Sequence, residues 1–125
     1  MAEAAVNILQ RSAGVPEGAV IDRDHLARMT FGDRSLEKEI LQLFDRQAEL
    51  LLGRMRVSEA PAVVTLAHTL KGSAIGIGAK RVACAAESAE LVASRAPGEC
   101  GRVLDELTQA VDEARTCIAG ILLTH

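Results

Sequence analysis

The sequence predicts an all-α fold: an antiparallel up-and-down four-helix bundle with a short additional N-terminal helix. Three observations predict it. Hydrophobic residues make up 49% of the chain, yet there are two Phe and no Tyr or Trp. The apolar mass is Ala, Leu, Val and Ile, which favours closely packed helices over a sheet that would call on aromatic residues. Apolar residues recur at three-to-four spacing along several long runs, and no strand-like alternation competes. The breaks between these runs are short, so consecutive helices must lie antiparallel. At 125 residues the chain fits one domain and can bury a core without disulfides or metal.

Each element has its own signals. Residues 3–12 allow a short leading helix within an N-terminal segment, 1–19, that precedes a bundle domain over 20–125. Gly14 to Gly18, with Pro16 between, breaks the chain. Asp22 suits the N-cap of a short helix to about Thr30. Gly32 punctuates, and Asp33 can cap a long helix from about Arg34 to Val57. There Leu36, Ile40, Leu43, Gln47, Leu50 and Leu51 keep the spacing of one face and predict its core stripe. Ser58 is the expected cap of the following helix, with Pro61 tolerated in the first turn. That helix should run to about Ile75, before Gly76-Ile77-Gly78 interrupts it. An alanine-rich helix follows from about Ala79 to Ser94. Its narrow stripe of Val82, Ala86, Ala89 and Ala93 lets a neighbour approach closely. Pro97-Gly98 turns the chain into a last helix, about Glu99 to Leu122. It carries the cleanest amphipathic pattern: Val103, Leu104, Leu107, Val111, Ala114, Ile118 and Ile121.

The formal net charge is −3, without the basic face of a nucleic-acid binder. Three cysteines, Cys84, Cys100 and Cys117, form no C-x-x-C pair and read as buried or semi-buried free thiols in a reducing compartment. No apolar run reaches membrane-spanning length. The N-terminus lacks the basic and apolar regions of a signal peptide, so the expected location is the cytoplasm. Met1 favours a free-standing protein. A zinc site from the histidines and cysteines would need close ligand spacing, and none is present; no metal or cofactor is expected. His25 is expected to be exposed, and His125 is the terminus.

The chemistry concentrates on residues 61–77. On a helical wheel Val63, Leu66, Ala67, Leu70 and Ala74 fall together as the core stripe. His68 lies roughly 140° round from Val63, off that stripe. Its own face holds Val64 one turn before, Lys71 and Gly72 one turn after, and Ile75 two turns after. Gly72 costs about 1 kcal/mol in a helix interior relative to Ala, and open space beside the imidazole is a physical candidate for what repays it. Lys71 offers a cation. Val64 and Ile75 are apolar residues expected on a solvent face, where they can dock a partner. A neutral imidazole is a competent nucleophile near neutral pH. It can attack phosphorus through one ring nitrogen while the other needs an acceptor to fix the tautomer. Phosphoryl transfer needs mainly positioning and charge stabilisation, and a bare helix face supplies little of the latter.

The segment Ala67-His68-Thr69-Leu70-Lys71-Gly72-Ser73-Ala74, with Gly78 ten residues after the histidine, resembles the signature of histidine-containing phosphotransfer (HPt) domains. More loosely, the resemblance spans about residues 20–123. It implies a four-helix bundle in which His68 takes a phosphoryl group, at Nε2, from a phospho-aspartate of a receiver domain in a hybrid sensor kinase or response regulator. His68 then returns the group to a second receiver in a two-component phosphorelay. The resemblance implies Lys71 as the charge near the phosphoryl group and Gly72 as the residue that opens access. Glu90, twenty-two residues after the histidine, matches a Gln or Glu that can orient the ring. It further implies a monomer without kinase activity of its own, with Mg²⁺ supplied by the receiver partner. Two alternatives stand beside it. One is a helical adaptor that only docks a partner. The other is the dimerisation and phosphotransfer fragment of a histidine kinase, where an acidic residue typically follows the histidine; here Thr69 does.

Overall fold

A computed structural model describes residues 20–124 and places five α-helices there. They are α1 (Arg23–Met29), α2 (Arg34–Arg56), α3 (Ala60–Ile77), α4 (Lys80–Arg95) and α5 (Cys100–Leu123), with a 3₁₀ turn at Pro97–Glu99 before α5. The suggested leading helix over 3–12 and His125 lie outside the described residues. Among the four long helices α3 packs on α2 and α4, and α5 packs on α4 and α2, which closes the bundle into a ring. The short α1 packs against α3.

Local chemistry explains where the helices start and stop. Asp22 caps α1 by accepting the His25 amide at 3.0 Å. Asp33 Oδ1 accepts the amides of Ser35 at 2.9 Å and Leu36 at 3.0 Å, satisfying donors that the first turn of α2 leaves orphaned. The expected Ser58 cap does not form. The Ser58 hydroxyl donates back to the Arg54 carbonyl at 2.6 Å, and Glu59 takes the N-cap position without a side-chain bond. Helix α3 also continues through Gly76 to Ile77, two residues past its expected end. Gly78 terminates it with φ at 80°, in the left-handed region that glycine enters freely. A Cβ at Gly78 would lie 2.9 Å from Asp22 Cβ and 3.0 Å from the Asp22 carbonyl oxygen. The Gly78 carbonyl accepts the Asp22 amide at 2.9 Å, tying the entry to α1 onto the end of α3.

The core draws on α3 through Val63, Ala67, Leu70, Ala74 and Ile77, and on α4 through Val82, Ala86, Ala89 and Ala93. On α5 all seven expected stripe residues are buried. Leu66 sits half-buried at the edge of the core. The expected stripe of α2 is corrected. The buried face is Glu37, Leu41, Phe44, Ala48, Leu51, Leu52 and Met55, one residue out of phase with the prediction. Leu36, Ile40 and Gln47 are only half-buried, and Leu43 (58%) and Leu50 (56%) are exposed. Of the six predicted positions Leu51 alone is buried. A latch of charges joins α5 to α2: Arg115 Nε donates to Asp45 Oδ1 at 2.8 Å, and Nη2 lies 3.5 Å from Glu49 Oε1. The Asp45 hydrogen bond and the surrounding carboxylates raise the Arg115 pKa further, against partial desolvation. The three thiols are free; Cys84 is exposed rather than semi-buried, while Cys100 and Cys117 are half-buried. No helix among the described residues is long and apolar enough to cross a membrane.

Candidate functional site

Small side chains set the geometry of the site. Ala67 and Ala74 of α3, and Ala86 and Ala89 of α4, are fully buried, and residues this small let two helices approach closely. That approach brings a residue of α4 within reach of the outer face of α3. His68 stands on this face with 67% of its side chain exposed, and its Nδ1 lies 3.1 Å from Glu90 Oε2. The other carboxylate oxygen, Oε1, forms an ion pair with Lys71 Nζ at 3.3 Å. Glu90 and Lys71 are both mostly covered, at 23% and 24% side-chain exposure. One carboxylate on α4 thus bridges two residues of α3 spaced three apart.

The charges decide the tautomer. Partial desolvation pushes the Glu90 carboxyl up, but Lys71 and then His68 outweigh it and hold the group below its ordinary value of 4.5. Glu90 is therefore ionised at neutral pH, and an ionised carboxylate can only accept a hydrogen bond. The His68 contact then requires the proton on Nδ1. In the neutral ring this leaves Nε2 with a free lone pair, the arrangement a nucleophilic imidazole needs. Lys71 supplies a point charge that an anion on the ring would meet.

The other sequence-selected residues divide. Nothing lies within 4 Å of a Cβ built at Gly72, so the space beside His68 is open. Ile75 is exposed at 57%. Val64 is corrected: it is half-buried and packs against the core rather than standing free. Arg81, in the first turn of α4, is engaged with Glu113 on α5 at 3.1 Å. His25 is half-buried instead of exposed, and its Nε2 finds no partner. Among the described residues no group of three or more His, Cys, Asp or Glu could hold a metal ion.

Sequence reasoning missed one feature next to the site. A groove of about 240 Å³ runs between α1, α2 and α3, lined by Leu26, Met29, Ile40, Leu43, Phe44, Gln47, Ser73, Gly76 and Ile77. The residues between His68 and this groove are small: Gly72, Ser73 and Gly76 keep that side of α3 low. Its signal in the sequence is the α2 stripe of Ile40, Leu43 and Gln47, whose helical spacing predicts core but which faces the groove.

A sequence profile of the Hpt domain matches residues 36–117, more than half of the chain. Among solved structures, a rice protein assigned as a histidine-containing phosphotransfer protein superposes with a TM-score of 0.72. That match covers 98% of this chain and 88% of the rice chain at 14% identity, a likeness of fold. No curated protein matches the chain.

Proposed function

The chain belongs to the Hpt domain family, and from that premise we propose that His68 accepts a phosphoryl group at Nε2 from a phospho-aspartate of a receiver domain and passes it to a second receiver. Histidine phosphotransfer within a phosphorelay is the work of the family, and its domains meet receiver domains. One observation carries the assignment to His68. It is a solvent-facing imidazole whose Nδ1 is held 3.1 Å from the Glu90 carboxylate, leaving Nε2 free to attack.

The step balances simply. The Nε2 lone pair forms a bond to phosphorus as the bond from phosphorus to the aspartyl oxygen breaks, and the carboxylate leaves as an anion. The ring becomes cationic with its Nδ1 proton retained beside Glu90. The reverse displacement returns the group to another aspartate. Glu90 orients the ring and offsets its charge, Lys71 meets the phosphoryl oxygens, and Gly72 leaves room for the approaching receiver. The receiver supplies the Mg²⁺. Ile75, with Val64 at its covered margin and Lys71 and Gly72 between, contributes to docking. So do the groove and the exposed Leu43 and Leu50 of α2, which give a partner an apolar surface beside the histidine. The protein acts as a cytoplasmic monomer without kinase activity of its own.

Transfer tests the proposal. A receiver domain carrying a labelled phosphoryl group is expected to lose label to the wild-type protein and not to His68→Gln. A His68→Gln protein that still accepts the group would sink the assignment. Label acquired from ATP alone would favour the kinase-fragment reading. Stable receiver binding without any transfer would favour the adaptor reading, which the exposed stripe of α2 also suits.

A further inference from the structure

Helix α2 carries apolar residues on its outer face as well as on its buried one. Leu36, Leu43, Leu50 and Val57 follow one another at a constant seven-residue interval, the repeat that keeps side chains in one row along a helix. Leu43 and Leu50 are mostly exposed, and Val57, the C-cap residue, is 85% exposed. Leu36 is half-buried. The bundle does not need this row, because α2 already meets it with the buried face. The charges beside the row are unused as well. Elsewhere on α2, Asp45 and Glu49 are engaged by Arg115, and Arg56 pairs with Asp105. Glu39 and Arg54 flank the row and are exposed. Among the described residues neither has an ion pair.

The row is complementary to its own reverse. Leu43 and Leu50 are equidistant from the point midway between Arg46 and Gln47; so are Leu36 and Val57, and so are Glu39 and Arg54. Two copies of α2 laid antiparallel about a two-fold axis through that point bring Leu43 level with Leu50 of the second copy. They also bring Leu36 level with Val57 and Glu39 level with Arg54, and each contact occurs twice. An isologous interface requires a patch of this kind. The unlike charges meet about 11 Å to either side of the axis. A parallel pairing would instead set Glu39 on Glu39 and Arg54 on Arg54. Arg46 meets its own copy in either direction, so it does not choose between them, and its long stem carries the guanidinium out to water. We propose that the outer face of α2 is a self-association surface on which a second copy of this chain lies antiparallel. The strip is about 32 Å long and one helix wide, short of a standard interface. The pair is therefore transient, with a dissociation constant on the order of 100 µM. Ile40, Leu43 and Gln47 also wall the groove beside α3. Pairing covers that side of α2, so the single chain is the form that meets a receiver; that consequence alone rests on the phosphotransfer reading of His68.

The test is sedimentation equilibrium of the full chain, without receiver or phosphoryl donor, over about a hundredfold range of concentration centred on that value. The wild type is expected to pass from one copy to two. Glu39→Arg and Arg54→Glu each set like charges together twice, and each should weaken pairing about tenfold. Both changes in one chain should return the affinity to within about twofold of wild type, because unlike charges face each other again. Leu50→Ser should remain single throughout. All these positions are exposed, and each variant should keep the wild-type unfolding midpoint. A wild type that stays single at every concentration would overturn the proposal. So would single reversals that leave pairing unchanged, the result a parallel pair would give, or a double exchange that fails to restore it. A chain that never pairs, yet loses receiver affinity in Leu50→Ser, would assign the strip to the receiver alone. Transfer to His68→Gln would remove the phosphotransfer reading and leave the pairing standing.

Discussion

Glu90 bridges His68 and Lys71, and its ionisation ties the site to the stability of the fold. Its carboxyl is held below 4.5 in the folded chain because Lys71 and His68 outweigh partial desolvation. A group with a depressed folded pKa stabilises the native state above its unfolded value, and that contribution is lost as the pH falls through the lowered one. Glu90 therefore contributes fully at neutral pH, and its contribution fades only in acid, below the ordinary carboxylate range. Lys71→Ala is expected to move the Glu90 titration midpoint upward, read by NMR of the side-chain carboxyl carbon; an unmoved midpoint would mean that the ion pair does not persist in solution. Gly72 gives a prediction of opposite character. A Cβ there meets nothing within 4 Å, so Gly72→Ala should stabilise the helix by about 1 kcal/mol in denaturant unfolding. On the proposed reading it should also slow transfer from a receiver, because the methyl group would take up space beside His68. The histidine, lysine and glycine were legible in the sequence from one turn of helix. The identity of the ring's partner was not derivable that way: the wheel of α3 says nothing about α4, and Glu90 was reached only through a resemblance.

At the scale of elements, α2 shows where periodicity stops being informative. Leu36, Ile40, Leu43, Gln47 and Leu50 form one stripe; Leu41, Phe44, Ala48, Leu51, Leu52 and Met55 form another, rotated by about one residue, or 100°. Each is apolar but for one polar residue, Gln47 in the first and the buried Glu37 at the head of the second, so spacing alone does not choose between them. Packing chose the second, and the first is left half-buried or exposed. Helices α4 and α5 carry a single stripe each, and their core residues were legible residue by residue. Caps were legible where the side chain could reach the first turn, as at Asp22 and Asp33. Ser58 failed because its hydroxyl bonds back to Arg54 O, the competition that makes such residues ambiguous near helix ends. The end of α3 depends on Gly78, where left-handed backbone and contact with Asp22 coincide. Gly78→Ala is expected to cost more than about 2 kcal/mol, since the added atom meets backbone as well as a strained φ. Equilibrium unfolding would measure it, and a loss of only a few tenths would mean that the junction between α1 and α3 yields easily.

For the whole molecule, the ring of four long helices separates what holds the fold from what a partner can touch. Leu41 is fully buried, and Leu41→Ala should cost about 2–5 kcal/mol by leaving a cavity. Leu50 is exposed at 56%, and Leu50→Ser should change stability by less than about 0.5 kcal/mol while weakening receiver binding. Paired denaturation and binding measurements would check both. A Leu50→Ser protein that loses stability like Leu41→Ala would place Leu50 in the core after all. The two stripes of α2 have an evolutionary consequence. Neighbouring positions on one helix answer to different demands: the buried face holds the bundle, and only the exposed part of the outer face is free of that duty. The exposed members of the outer set, Leu43 and Leu50, can therefore change by point substitution while the buried face, and with it the fold, stays intact.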